Sequence, residues 1–500
     1  MDIFFKDRKG PYPRPEAPQY PYLILQRDNW NDYSFRTLFQ AFVQRDSGAE
    51  SRVRLGDVKV MRKAQPRSEP TFPENLFHIP ADDLVGSYCS LSSDEDYYQA
   101  IHQLGEDTAI DVLTTLQDAA FLPDVRRAFQ EDECFKISLL RESSARRLLD
   151  EAGRLFGAQS QLVNSFSAKV HLEGATEPHH LTFDFGASDA LLPRRIHALV
   201  GLNGVGKTQV MARLAMLLSR FSRQAERDNR SVLESEGSLE PVPSVYNVVA
   251  LSFSAFDDFE RPTERQGEKF SYSYCGLRTL KGRLRTEEEL LLDIKDLIVN
   301  RMDDERREVL ARVLTNLVKV DDLRSFVFDV TAHAQLYARL SAGQRIVLNS
   351  LSHLLSKISK RTLVMFDEPE LHLHPQLLSS MMSAMGEILR EFDSFAILAT
   401  HSPIVVQQLP RECVQIVRRD RMKPIVLRPN FETFGENLTE IARHIFVATE
   451  SDRDYRNTLE QLYEAVNYDV GRVAQIFDGR LSLNARIFLE SLSNVRGGMA

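Results

Sequence analysis

The chain has 500 residues, more than one hydrophobic core ordinarily supports, so two or three domains are expected. Its 43% hydrophobic and 27% charged content is that of a globular protein, and its net charge of −9 argues against a surface that is basic throughout, as general phosphate binding requires. No run of about 18 apolar residues occurs, and Cys89, Cys134, Cys275 and Cys413 lack paired spacing, so neither a membrane span nor a disulfide or zinc framework is expected.

The amino-terminal stretch MDIFFKDRKGPYPRPE has no long apolar centre, which predicts a soluble, cytoplasmic protein. Residues 1–160 predict a small α+β domain. Phe35, Thr37, Phe39, Ala41 and Val43 alternate as in a half-buried strand, RDSGAES supplies a turn, and VRLGDVKVM supplies a second strand. A serine-led helix follows in SSDEDYYQAIHQL, acidic in its first turn, then another over Thr108–Ala120. Trp30, the single tryptophan, at the entry to the first of these strands, reads as a partly buried packing anchor or, alternatively, a contact surface.

Strands are expected around Ser167–Leu172 and Leu181–Phe185, with His179 and His180 in a solvated turn between them. Next, IHALV (Ile196–Val200) predicts a buried strand and MARLAMLLSRF a helix, and GLNGVGKT (Gly201–Thr208) joins the two. Glycines here let the backbone N–H groups and the helix N-terminus face a phosphate. Asn203, Gly204, Gly206, Lys207, Thr208 and Gln209 are the candidate phosphate-binding residues, Lys207 reaching the β/γ-phosphates and Thr208 offering its hydroxyl to magnesium. The polar segment Gln224–Ser244, with Pro241 and Pro243, predicts a surface loop, and Thr286–Leu317 a helical lobe.

LSAGQ (Leu340–Gln344) opens a helix with Val347, Leu351, Leu354, Leu355 and Ile358 on one stripe. Ser341, Gly343 and Gln344 sit at its start, where free N–H groups form a second anion site. Two such helix starts are redundant within one subunit. They make sense if this one caps a γ-phosphate held by Lys207 of a second copy.

LVMFDEPE (Leu363–Glu370) ends a strand with Asp367 placed to hold magnesium and Glu368 to orient or deprotonate the attacking water. After another apolar strand, Phe395–Ala399, His401 is a candidate sensor of the γ-phosphate. His372 and His374, near Glu370, lack a third metal ligand. Arg339 and Arg345 flank LSAGQ, leaving open a phosphate contact or surface pairing. A strand pair is expected around Cys413–Val417 and Pro424–Leu427, with the basic run RRDRMK (Arg418–Lys423) as a solvated hairpin or, alternatively, a DNA contact. The tail turns helical in NLTEIARHIF, YRNTLEQLYEAV and SLNARIFLESL.

The order of a Walker A loop, an LSGGQ-like signature, a Walker B strand with an adjoining glutamate, and a switch histidine resembles that of ABC-type ATPases. DEPELHLHP (Asp367–Pro375) with THSP is similar to the soluble, DNA-linked branch: RecF, SMC-type proteins, OLD-like ATPases and the ATPases of bacterial anti-phage systems such as Septu and PARIS. The resemblance implies an α/β fold, an ABC-type P-loop NTPase head over 161–430 with a helical lobe at about 286–360. An N-terminal α+β domain (1–160) and a helical C-terminal region (431–500) would flank it. It also implies ATP and Mg2+ as cofactors, and a homodimer or higher even-numbered oligomer. The expected role is that of a switch controlling a separate effector, a nuclease or toxin, with nucleic acid nearby and no membrane. A scaffold that holds ATP with negligible turnover and a transport-coupled subunit are the alternatives. One departure is that Ser252–Phe259, where such proteins carry a glutamine, reads SFSAFDDF, so Asp257 or Asp258 is the expected substitute.

Overall fold

In the computed structural model the described residues are all but 17, 29, 31–33, 158–161, 187–193, 220–235, 254–258, 260, 262–271, 280–281, 318–322, 330–332, 447–453 and 498–500. They form two compact units, Met1–Glu436 and Asn437–Ala500. The first unit opens with β1 (Ile3–Lys6), β2 (Tyr22–Arg27), β3 (Leu38–Gln44), β4 (Arg52–Arg62), β5 (His78–Ile79) and β6 (Tyr88–Leu91) in one sheet of order β5-β1-β2-β3-β4-β6. β3 and β4 are the two strands expected from sequence, and they pair antiparallel. β1 and β2 went unread because they are short, apolar and separated by a proline-rich stretch rather than by alternation.

Phe39, Ala41 and Val43 bury one face of β3 against a core shared with Tyr97, Ile101 and Val112 of the helices Glu95–His102 and Glu106–Thr115. The first of these helices is capped by Asp94, whose carboxylate accepts the Asp96 N–H at 3.0 Å, so its start falls after the expected serines. Trp30 corrects another expectation. It is 54% exposed, with the Arg141 guanidinium 5.9 Å from its ring, while Phe39 and Phe72 are among the residues that fill the core. This amino-terminal region reaches the rest of the unit through Arg146, which donates to the carbonyls of Leu218 (3.0 Å) and Ser219 (3.4 Å) at the end of the helix Lys207–Ser219.

A second sheet has order β10-β7-β8, from β7 (Ser165–Val170), β8 (His179–Asp184) and, beyond β9 (Ile196–Val200) in sequence, β10 (Gly237–Glu240). Two expectations change here. Gly237–Glu240 pairs antiparallel with β7 instead of lying in a loop, and His179 begins β8, paired with Val170, with only 4% of its surface exposed. The polar composition of both segments hid them, since sheet pairing satisfies the backbone whatever the side chains are.

The third sheet adds β11 (Asn247–Ser252), β12 (Tyr272–Gly276), β13 (Thr362–Asp367), β14 (Phe395–Thr400), β15 (Val414–Asp420) and β16 (Lys423–Leu427), in the order β12-β11-β13-β14-β9-β15-β16. All but the β15–β16 pair are parallel. Every residue of β13 and β14 is buried, as befits parallel strands covered on both faces. The helical lobe runs from Glu287–Asp296, with Thr286 and Glu289 forming a capping box, through Asp304–Leu317 to the helix Ala342–Lys357. The second unit holds the helices Asp454–Ala465, Val470–Ile476 and Leu483–Gly497, around Leu459, Tyr463, Val473 and Leu489.

His197 on β9 makes the core acid-sensitive. It is fully buried against the Phe185 and Phe183 rings, 4.8 and 5.7 Å away, and burial pushes its pKa down from 6.5 to about 4. The native ring is therefore neutral while the unfolded one protonates below 6.5. Its stabilising contribution is full above that value and lost as pH falls to about 4, amounting to about 3 kcal/mol. Urea unfolding of His197→Phe is expected to lose less stability than wild type between pH 6.5 and 4.

Candidate functional site

The P-loop follows β9, and its first glycine is fixed by close approach. Gly201 has φ +156°, and a Cβ there would lie 2.3 Å from the Val417 carbonyl oxygen of β15. At the start of the following helix Lys207 is buried and donates to the carbonyls of Gly201 (2.9 Å) and Leu202 (3.0 Å). Burial lowers its pKa while Glu368, Glu370 and Asp367 pull it back up, so three carboxylates face the ammonium. Next to it the Thr208 hydroxyl lies 3.0 Å from both Asp367 oxygens.

Sheet order brings these groups together. β14 lies between β13 and β9, with Asp367 opposite Ala399 and Thr400 opposite Val200, so the ends carrying Asp367, His401 and the P-loop are neighbours. Glu368 turns off β13 with φ +48°, a left-handed conformation that costs energy outside glycine, and its N–H is held by the Ala399 carbonyl at 2.8 Å. Its carboxylate lies 3.8 Å from His401 Nδ1.

Glu370 is the residue that sequence reasoning passed over. Its Oε1 accepts from the Thr400 hydroxyl (2.7 Å) and the His401 backbone N–H (2.6 Å), and lies 3.0 Å from His401 Nδ1 in an orientation unsuited to a hydrogen bond. It is thus the post on which the histidine turn is built. The only signal was a third acid two residues after Glu368, which composition alone does not separate from a surface charge.

Ser341 caps its helix in a reciprocal box with Gln344: the Ser341 hydroxyl accepts the Gln344 N–H at 3.3 Å, and Gln344 Oε1 accepts the Ser341 N–H at 2.8 Å. Gly343 packs on the segment after Walker B, where a Cβ would stand 2.9 Å from the His372 carbonyl oxygen. Among the described residues no hydrogen bond joins Ser341, Gly343 or Gln344 to Asn203–Gln209 of the same chain. Asn203 is exposed on the P-loop, and Gln209 lines a cleft beside it.

The remaining candidates resolve into structural parts. His374 caps the helix Pro375–Glu391, its Nδ1 accepting the Leu377 N–H at 3.2 Å, while no group of three or more metal-ligating side chains occurs among the described residues. Arg345 is spent locally: it donates to the Tyr337 and Ala338 carbonyls and pairs with Glu287 at 3.0 Å. Surface pairing is therefore the structure's answer for Arg345, whereas Arg339 is exposed. RRDRMK forms the β15–β16 tip, with Lys423 paired to Glu177 at 2.9 Å. Asp257 and Asp258 lie outside the described residues.

The donor set fits a magnesium nucleotide: a buried ammonium now bonded to carbonyls, and a hydroxyl aligned on a strand-end carboxylate. The fold is the α/β arrangement of an ABC-type P-loop NTPase head. Residues 278–407, which span the signature helix, β13 and β14, match the family model described as "AAA domain, putative AbiEii toxin, Type IV TA system". Across 94% of both chains the protein is similar to protein ea59 of Escherichia phage lambda, at 27% identity. Similar solved structures include cbiO1 of the Clostridium perfringens ABC transporter complex cbiONQ, at 15% identity and TM-score 0.33 over 64% of this chain and 100% of that one. The SMC head domain from Thermotoga maritima is another, at 11% identity and TM-score 0.31 over 54% of this chain and 100% of that one. No helix among the described residues is long and apolar enough to cross a membrane.

Proposed function

We propose that the protein hydrolyses ATP as a two-copy switch, each site built from the P-loop, Asp367, Glu368 and His401 of one copy and Ser341 with Gly343 and Gln344 of the other. The convergence of Lys207, Thr208, Asp367, Glu368 and His401 on three adjacent strand ends supports this reading most directly. Magnesium, when bound, neutralises charge developing on the phosphates. Thr208 and Asp367 are placed to hold that ion, Lys207 to exchange its two carbonyls for phosphate oxygens, and Glu368 to take a proton from the attacking water. His401, fixed by Glu370, faces the same opening and orients that water or senses the terminal phosphate.

A second copy supplies what one chain leaves unfilled, because the helix start at Ser341, exposed together with Ala342, makes no hydrogen bond to its own P-loop. Closure on ATP and release on hydrolysis would then be transmitted to the amino-terminal sheet through Arg146 at the end of the P-loop helix. The role we assign it is control of a separate effector, in the cytoplasm, in phage defence or DNA maintenance; the toxin–antitoxin wording of the matching family model is the comparison that bears on this reading.

Complementation tests the shared site. Lys207→Ala and Ser341→Arg are each expected to be inactive alone, while their mixture regains turnover because one of its two sites pairs an intact P-loop with an intact Ser341. A mixture as inactive as its components, with dimers confirmed by sedimentation, rules the shared site out.

A further inference from the structure

The parallel sheet carries a small polar cavity at the edge opposite the P-loop. Arg195 directly precedes β9, Arg361 directly precedes β13, and Asp393 stands just before β14. These strands are parallel neighbours, so the three side chains gather at strand starts, whereas the P-loop, Asp367 and His401 sit at the strand ends. Strands of this length hold the two edges about 17–20 Å apart. The cavity has a volume of about 60 Å³, with Asn164, Phe185 and Phe395 completing much of its wall. One water needs about 10–15 Å³ of such space, so there is room for a small molecule of a few heavy atoms.

Arg361 is the anomaly in this wall. It is only 2% exposed, yet no carboxylate pairs with it. Nε donates to the Ser244 carbonyl (2.8 Å), and Nη2 to Asn164 Oδ1 (2.8 Å) and the Val163 carbonyl (3.4 Å), all neutral oxygens. The acids near enough to act on its charge are each turned to another cation: Asp393 to Arg195 at 3.0 Å, Asp150 to Arg126 at 2.7 Å and Glu151 to Lys360 at 3.6 Å. Among the described residues no hydrogen bond engages Nη1. This nitrogen is not one of the sealed polar atoms, so it opens on solvent, and the cavity is the space that Arg361 lines. A guanidinium stays charged in a protein, and a buried charge without a counter-ion is costly. The missing partner is therefore an anion.

The wall also selects the shape of that anion. The Phe395 ring lies 4.9 Å from the Arg361 guanidinium and 5.5 Å from that of Arg195, and stacks on Phe185 at 4.6 Å. Flat apolar rings beside two guanidiniums suit a flat anion with an apolar end, and a carboxylate matches the guanidinium fork. We propose that this cavity binds a short-chain monocarboxylate, whose charge completes an ion pair with Arg361 at the starts of β9, β13 and β14. The site stands independently of the ATPase reading.

Thermal unfolding of the full chain near neutral pH and at constant ionic strength, with sodium acetate replacing sodium chloride, tests it. Wild type is expected to show a saturable rise in midpoint of about 1–3 °C at acetate ten times its dissociation constant. That constant is expected in the millimolar range, as befits so small a ligand. Lys207→Ala keeps the rise, which separates the cavity from the P-loop, itself an anion site. In that variant phosphate has less effect than acetate. Arg361→Met abolishes the rise. Leu162→Glu, which brings its own carboxylate to the cavity wall, no longer responds to acetate, whereas Leu162→Gln responds as wild type does. This pair decides the matter if Arg361→Met does not fold. No saturable rise in wild type, a rise that survives Arg361→Met or Leu162→Glu, or one lost in Lys207→Ala overturns the site. A larger effect of phosphate than of acetate in Lys207→Ala overturns the carboxylate assignment.

Discussion

Replacing Glu368 with Gln is expected to lower ATP turnover by about 10²–10⁴-fold, the span that removal of a positioned general base covers, while ATP binding is retained. The side chain keeps its size and its place at the end of β13, so Thr208, Asp367 and Lys207 stay where they are. What is lost is the ability to take a proton. A variant that binds ATP but does not release it is also expected to accumulate as an ATP- and magnesium-dependent dimer, visible by sedimentation. Wild type turning over as slowly as Glu368→Gln while both bind ATP identifies a scaffold that stores nucleotide. A variant that remains monomeric at saturating ATP and magnesium contradicts the two-copy site.

Glu370→Ala is expected to be more damaging to structure than Glu368→Gln. Its Oε1 holds the Thr400 hydroxyl and the His401 N–H beneath the histidine turn. Truncation strands two donors, each unsatisfied buried group costing about 1–3 kcal/mol. Thermal unfolding should show a matching loss, and turnover should fall because His401 is no longer held beside Glu368. Glu370→Gln separates the two effects. Its amide oxygen still accepts both hydrogen bonds, so stability is largely recovered, while turnover stays lowered because the negative charge beside His401 is missing. Unchanged unfolding in Glu370→Ala removes the residue from its positioning role.

Local rules account for the parts of this protein that were readable in advance. A strand that is apolar at every position, as in LVMF or FAILA, is legible because a parallel strand buried on both faces has no other composition available. The P-loop is legible because glycines and a lysine between strand and helix answer to phosphate chemistry alone, and Asp367 because a carboxylate at a strand end is where sheets collect ligands. The capped helix after Ser341 follows from hydrogen bonds three residues apart. None of these depends on distant neighbours.

What the sequence left undetermined depends on which segments meet in space. Gly237–Glu240 becomes a strand only because β7 offers it a free edge, and a polar string carries no sign of that. His179 passes from an apparent surface turn to a buried ring because β8 pairs it with Val170 inside the sheet. Trp30 goes the opposite way, since β3 and its neighbours already fill the core from which it was expected to hang. Glu370 acquires its role only when β14 lies next to β13 and presents Thr400 and His401 to it. Short-range hydrogen bonding and side-chain periodicity are written into neighbouring residues and can be read directly. Burial and pairing between residues tens to hundreds of positions apart follow from the order of strands in the sheet, which only the folded chain decides.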